Sequence, residues 1–262
     1  MIPVIRECAT IEEFAACVRL QRDVFGLPDM EISPVRHLIV SRQAGGWTLG
    51  AFAGATLVGF VHHMAAVRGA EVFGYSHMMA VAHEYQNMGV GARLKWAQRE
   101  RAMSEGRTFI KWTWDPMRAR NAHFNINRLG AIVRAYAVNF YGTDYATTPN
   151  EANEPNEADE LHGLDSDRLF AEWHLHSPRV AACARGAAPP RLGAPAAEVS
   201  IPADWSAVIK NDPAGAQREL VRVRTEFQQA FAAGFVCAGF ERDATRPRYL
   251  FYESIDAAKK LF

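Results

Sequence analysis

Cysteine is scarce in this chain: four in 262 residues, Cys8, Cys17, Cys183 and Cys237, with no paired spacing. That pattern excludes a disulfide framework and the C-x-x-C pairs of zinc and redox motifs, and free thiols suit a reducing compartment. Net charge is missing too. The 29 Lys and Arg balance 29 Asp and Glu, which argues against broad electrostatic attraction to nucleic acid or an anionic membrane. No apolar run approaches the roughly 20 residues of a membrane span. The N-terminus lacks the basic region and long apolar stretch of a secretory signal. A cytoplasmic location, with neither nucleic acid nor membrane as partner, is the expectation. Two phosphate-binding signatures are absent as well. The third glycine position of G-x-G-x-x-G holds Leu94, and no Gly-Lys-Ser/Thr triplet closes a P-loop. What is present is ordinary: 49% hydrophobic and 22% charged residues, enough for a sizeable core with or without an extension.

Patterning along the chain alternates strands and helices. Residues 3–8 read as a short strand. Thr10-Ile11-Glu12-Glu13 reads as a capping box opening an amphipathic helix over 10–25, which Gly26-Leu27-Pro28 ends. A weaker helical stretch covers 33–43. Strands follow at 47–53, 56–62 and 72–81, separated by turns at Gly45-Gly46, Gly54-Ala55 and Arg68-Gly69. A helix to about residue 105, a strand at 109–114 and a helix over 121–129 ended by Gly130 complete this half. Residues 147–160 are acidic and rich in Asn and Pro, the composition of a solvated loop. Residues 167–176 alternate as a strand, and 181–197 have the Ala, Pro, Gly and Arg content of a linker. Asp212-Pro213 starts a helix with proline at its first position, and 235–240 and 249–252 form a hairpin.

The most informative segment is Val81 to Gly91. An apolar strand ends, a short polar turn follows, and Gly89 and Gly91 open a helix whose first amides have no partner within it. With the helix dipole, this makes a socket for phosphate. Gln86-Asn87-Met88-Gly89-Val90-Gly91 fits Q/R-x-x-G-x-G/A. It resembles the acyl-CoA pyrophosphate loop of the GNAT acyltransferases, related to Gcn5 N-acetyltransferases. Met79-Ala80-Val81 and Glu84-Tyr85-Gln86 resemble that family's strand end and turn, with His83 in place of the usual proline. The order of elements over residues 1–140 resembles the family's as well. Asp115-Pro116, Asn121-Ala122-His123-Phe124-Asn125 and Asn139-Phe140-Tyr141-Gly142 resemble a large, poorly characterised branch of it.

The resemblance implies an α/β fold with a mixed sheet: a GNAT acyl-CoA-binding core over 1–178, a linker or long loop over 179–197, and a C-terminal α/β extension over 198–262. Two segments, 121–176 and 213–252, compete to supply the last core strands. The resemblance also implies that the backbone of Met79, Ala80 and Val81 binds the pantetheine arm. The pyrophosphate would sit on the amides of Gln86, Asn87, Met88, Gly89, Val90, Gly91 and Ala92, with Arg93 and Lys95 as charge partners. The family's cofactor-binding Asn and acidic Tyr fall at Ala119 and Ile126, so Asn121 is the cofactor contact left to consider, and Tyr136 and Tyr141 are the candidate acids, the alternative being a thiolate that leaves without one. His77, on the strand that passes the acyl group, is the candidate base because its imidazole titrates near neutral pH. His62 and His63 occupy opposite faces of one strand and cannot act as a pair. No metal site is expected. The implied activity is transfer of an acetyl or longer acyl group from acyl-CoA to a small-molecule amine by direct attack, with a homodimer left open. The alternative is a CoA-binding sensor or assembly protein without turnover, which the isoleucine at 126 keeps in play.

Overall fold

The computed structural model describes residues 2–143, 163–190 and 192–253, so the acidic segment 147–160 lies outside the described residues. The chain divides into two compact units between Lys111 and Trp112. Among the described residues, no helix is long and apolar enough to cross a membrane.

The first unit comprises β1 (Val4–Glu7), α1 (Ile11–Phe25), α2 (Val35–Gln43), β2 (Trp47–Ala53), β3 (Thr56–Arg68), β4 (Glu71–Val81), α3 (Val90–Ser104) and the start of β5 (Phe109–Trp114). The capping box forms as the sequence dictates. Thr10 accepts from the Glu13 amide, and the Glu13 carboxylate accepts from the amides of Ala9 and Thr10. Gly26 closes α1 in the left-handed conformation, at φ 59°. The strands follow in the order β1-β2-β3-β4-β5, antiparallel until β4 and β5, which run parallel with α3 as their crossover. Phe14, Cys17, Leu38, Phe52, Phe60 and Ala80 form the core between α1, α2 and one face of this sheet.

β3 runs six residues beyond its expected end at residue 62, and its register with β4 holds the unit's main irregularity. His62 stands opposite Met78, yet His63 stands opposite Ser76. His77 is the extra residue, and the bulge turns it toward the α2 side.

The second unit orders its strands β7-β6-β9-β10-β8, with β6 (Ile132–Ala137), β7 (Arg168–His174), β8 (Ala197–Ser200), β9 (Phe235–Glu241) and β10 (Arg248–Glu253). The segments 121–176 and 213–252 meet in this sheet, where β6 pairs with β7 and, at Val133 opposite Cys237, with β9. The division at Lys111 differs from the expected boundary at 178. The expected linker over 179–197 is corrected by α5 (Pro178–Ala184), which starts inside it with Ser177 as its cap. Also in this unit are α4 (Ala119–Ala122), which passes into a π-helical turn at His123–Arg128, α6 (Trp205–Asn211) and α7 (Pro213–Ala232). Asp212 caps α7 through the Gly215 amide, and α7 buries Leu220, Val223 and Phe227.

Arg179, on α5, explains why that stretch is not a linker. Its guanidinium is buried and donates to the carbonyls of Gly130, Ile126 and Ala238, tying the π turn to β9. Arg179→Met should cost about 3–5 kcal/mol, because it strands buried carbonyls without donors. Urea unfolding measures this; a loss under about 1 kcal/mol would show that water replaces the donors.

Candidate active site

β4 ends at Val81, and the chain turns through His83–Tyr85 before α3 begins. Two side chains fix this turn. His83 Nε2 meets the Asp23 carbonyl at 3.1 Å, and Gln86 Nε2 donates to the Val81 carbonyl at 3.1 Å. Asn87 (φ 60°) and Gly89 (φ 80°) are left-handed, the backbone pattern from which anion-binding concavities of successive amides are built. No side chain caps α3 at Gly89. The sequence expectation needs trimming at its edges. The Gln86 amide donates to the His83 carbonyl, and the Arg93 amide to the Gly89 carbonyl. None of the close backbone bonds in this turn uses the amides of Asn87, Met88 or Gly89. Asn87, Met88 and Gly89 are exposed, as is the Arg93 side chain.

Lys95 is corrected outright as a phosphate partner. It is buried beneath α3, donating to Ser76 Oγ at 3.1 Å and Gln98 Oε1 at 2.7 Å, and burial drives its pKa well below the usual lysine value. Gln98 Nε2 in turn lies 3.3 Å from His63 Nδ1, and the His63 ring stacks on Trp47 at 4.1 Å.

On the other face of the sheet His77 Nε2 lies 3.3 Å from Ser33 Oγ. Its outer edge is exposed, while its ring packs against His37 and His62. Burial of the inner face and then the neighbouring His37 depress its pKa to about 4. A His77 ring with this pKa is neutral at physiological pH, the form in which an imidazole can accept a proton. Met79 and Val81 stay beside the glycine turn, since a Cβ built on Gly91 would meet Met79 Cε at 3.5 Å and Val81 Cγ2 at 3.9 Å. Pairing of β4 with β5 is recorded at Gly74–Ile110 and Tyr75–Lys111, so Met79, Ala80 and Val81 lie beyond it.

Asn121 and Tyr141 belong to the second unit. Asn121 is exposed on α4. The neighbouring asparagines of its motif are structural. Asn125 Oδ1 accepts from Trp112 Nε1, and Asn127 exchanges two bonds with the Phe240 backbone. Ile126 is fully buried. Tyr136 is excluded as an acid, because its hydroxyl donates to Asp167 at 2.6 Å and burial pushes its pKa far above the usual tyrosine range. Tyr141 is exposed, with its hydroxyl 3.3 Å from Thr113 Oγ1. Asp167 and Ser166 hold its loop through the amides of Asn139 and Tyr141.

No family sequence model matches the chain, and no curated protein matches it. Solved structures do. A protein assigned to the GNAT acetyltransferases from Desulfovibrio desulfuricans superposes with a TM-score of 0.51 at 14% identity, covering 66% of this chain and 99% of its own. The ribosomal-protein-S18-alanine N-acetyltransferase of Escherichia coli gives 0.50 at 11% identity, over 66% and 94%. A chain of the NatC complex bound to Gag peptide and CoA gives 0.50 at 14%, over 66% and 99%. The chain has the GNAT fold. Further helices and strands lie C-terminal to the elements expected of that fold from sequence.

Within this GNAT fold the structure adds two residues that sequence reasoning missed, Ser33 and His37, which meet His77 from the loop before α2 and from α2 itself. Their spacing from His77 follows no motif. Among the described residues, no group of three or more His, Cys, Asp or Glu side chains is placed to hold a metal ion.

Proposed function

We propose that this protein is an acyl-CoA-dependent N-acyltransferase acting on a small-molecule amine, with acetyl-CoA as the default donor. The observation that carries this reading is the uncapped start of α3 at Gly89, set directly after β4 in a GNAT fold. The amides of residues 87–92 receive the CoA diphosphate, helped by the positive end of the helix dipole. The backbone of Met79, Ala80 and Val81 lines the pantetheine arm. The segments around Asp115, Asn121 and Asn139 resemble those of large GNAT proteins, which supports the reading.

Chemistry then needs mainly positioning, which can supply roughly 7–11 kcal/mol. The amine nitrogen attacks the thioester carbonyl. A C–N bond forms, the C–S bond breaks, His77 takes the amine proton and the CoA thiolate leaves. The CoA thiolate can leave without an acid, because a thiol pKa near 8.5 makes it a fair leaving group. Calorimetric titration should show CoA binding, and acetyl-CoA with an amine panel should release thiol. His77→Gln should bind CoA like the parent while kcat falls about 10²–10⁴-fold, the worth of a positioned base. Unchanged kcat would remove His77 from the reaction.

A second reading is a CoA-binding sensor, favoured by the buried Ile126 where the family's acid is expected. CoA binding without turnover on any amine would select it.

A further inference from the structure

His77 is the extra residue of the bulge between β3 and β4, so it has no counterpart across the ladder and its ring takes its direction from side-chain contacts. Two of these are ring contacts. His37 of α2 meets it edge to face at 5.5 Å, and His62 of β3 at 6.1 Å. They limit where the ring lies but do not decide which nitrogen carries its proton. The third contact is polar: Ser33, in the loop before α2, places its hydroxyl oxygen 3.3 Å from His77 Nε2.

Ser33 is itself fixed by a buried side chain. Gln21 on α1 is 2% exposed, and its amide grips the Ser33 backbone on both sides. Gln21 Nε2 donates to the Ser33 carbonyl at 3.2 Å, and the Ser33 amide donates to Gln21 Oε1 at 3.0 Å. With both backbone groups committed to α1, the hydroxyl is what Ser33 has left to offer His77, and it is offered from a fixed position.

A neutral imidazole carries one proton, and the hydrogen bond at one nitrogen decides which of the two holds it. When Ser33 Oγ accepts from Nε2–H, the lone pair of Nδ1 stays open. That bond also survives once Nδ1 is protonated, since an imidazolium keeps its Nε2–H. A hydroxyl donating to Nε2 would instead cover the only lone pair before an amine arrived. The first arrangement alone serves a base both before and after it accepts a proton.

Resting on the acyl-transfer reading, we propose that Ser33 is a positioning residue for His77: it accepts from Nε2–H, so that Nδ1 is the atom that takes the amine proton, and Gln21 holds Ser33 in place. The amine nitrogen bonds to the thioester carbon and the C–S bond breaks. The N–H bond breaks as Nδ1–H forms, and the proton then passes to solvent at the exposed edge of the ring.

The test uses the full-length chain. Imidazole nitrogen NMR at neutral pH needs neither cofactor nor turnover. His77 should show a protonated Nε2 and an unprotonated Nδ1 in the parent, while Ser33→Ala should show a mixture of the two forms and faster exchange of Nε2–H with water. Ser33→Thr, which keeps the hydroxyl, should restore the parent pattern. With acetyl-CoA and whichever amine of the panel releases thiol fastest, Ser33→Ala should lower kcat at least about tenfold and leave KM for acetyl-CoA unchanged. Added to His77→Gln, it should lower kcat no further, because a residue acting through His77 then has nothing to act on. A parent ring protonated on Nδ1, a further loss in the double variant, or an acyl adduct on Ser33 in the mass spectrum would overturn the proposal. If CoA binds but no amine releases thiol, the acyl-transfer reading is what fails, and the NMR result alone decides how Ser33 holds the ring.

Discussion

Gly91→Ala is expected to bind coenzyme A at least about tenfold more weakly than the parent chain, a loss of ~1.4 kcal/mol, while folding at least as stably. The two halves of this result come from one geometry. Gly91 lies in the first turn of α3 with an ordinary helical backbone, and a Cβ there would touch Met79 Cε at 3.5 Å, a normal contact. The folded chain has room for the methyl, and alanine is the better helix former by roughly 0.5–1 kcal/mol. Glycine is thus not required by the fold at this position. If it serves the approach of the diphosphate and pantetheine to the first amides of α3, the methyl intrudes on that approach.

Gly89→Ala is the contrasting variant. Its φ of 80° suits glycine, so alanine there should cost about 1 kcal/mol of stability before any ligand is added. Urea unfolding and calorimetric CoA titration on both variants separate backbone strain from ligand clearance. Parent-like affinity in Gly91→Ala would remove the glycine turn from the cofactor site.

Acid should destabilise the protein steeply well above the carboxylate range. His62 and His63 are fully buried on opposite faces of β3, and burial first, then the His77 and His37 imidazoles for His62 and Arg107 and Lys95 for His63, lowers both pKa values to about 3. An unfolded histidine titrates near 6.5. Above that value neither state binds these protons and stability is flat. As pH falls below it, the unfolded chain takes up two protons that the folded chain refuses, until the folded values are reached. The slope is about 1.4 kcal/mol per pH unit per proton, or about 2.7 for the pair between roughly pH 6 and 4. His77 is left out of this sum because its exposed edge is screened by solvent. Unfolding free energy measured by urea at successive pH values gives the slope directly. His63→Leu should lower it by about one proton's worth, whatever its effect on absolute stability. A parent slope near zero across this range would mean that the buried rings charge without unfolding.

The legibility of this chain in its sequence is uneven, for reasons visible residue by residue. α1 could be read to within a residue, because Thr10, Glu13 and Gly26 carry local signals that act through their own backbone neighbours. β2 and β5 matched their expected spans, bounded by glycine turns on one side and Asp115-Pro116 on the other. α5 was hidden in an Ala-rich and Pro-rich stretch, because what holds it is the long-range reach of Arg179 to carbonyls at 126, 130 and 238. The same holds for Lys95. Its type and its place one turn into α3 suggest a phosphate partner, yet the orientation of the helix on the sheet sends it to Ser76 and Gln98 instead. His77 was legible as a residue, but a bulge is a property of strand pairing and has no signature on one strand alone.

The sequence by itself determined the order of elements, the caps and the glycine turn, because these depend on bonds between residues a few positions apart. Tertiary structure alone decided which side chains share a site. His37, His62 and His77 are separated by 25 and 15 positions in the chain, and only the packing of α2 on the sheet and the one-residue slip between β3 and β4 bring their rings within 5.4–6.1 Å. Side-chain direction is set by packing and register, and register is a relation between strands.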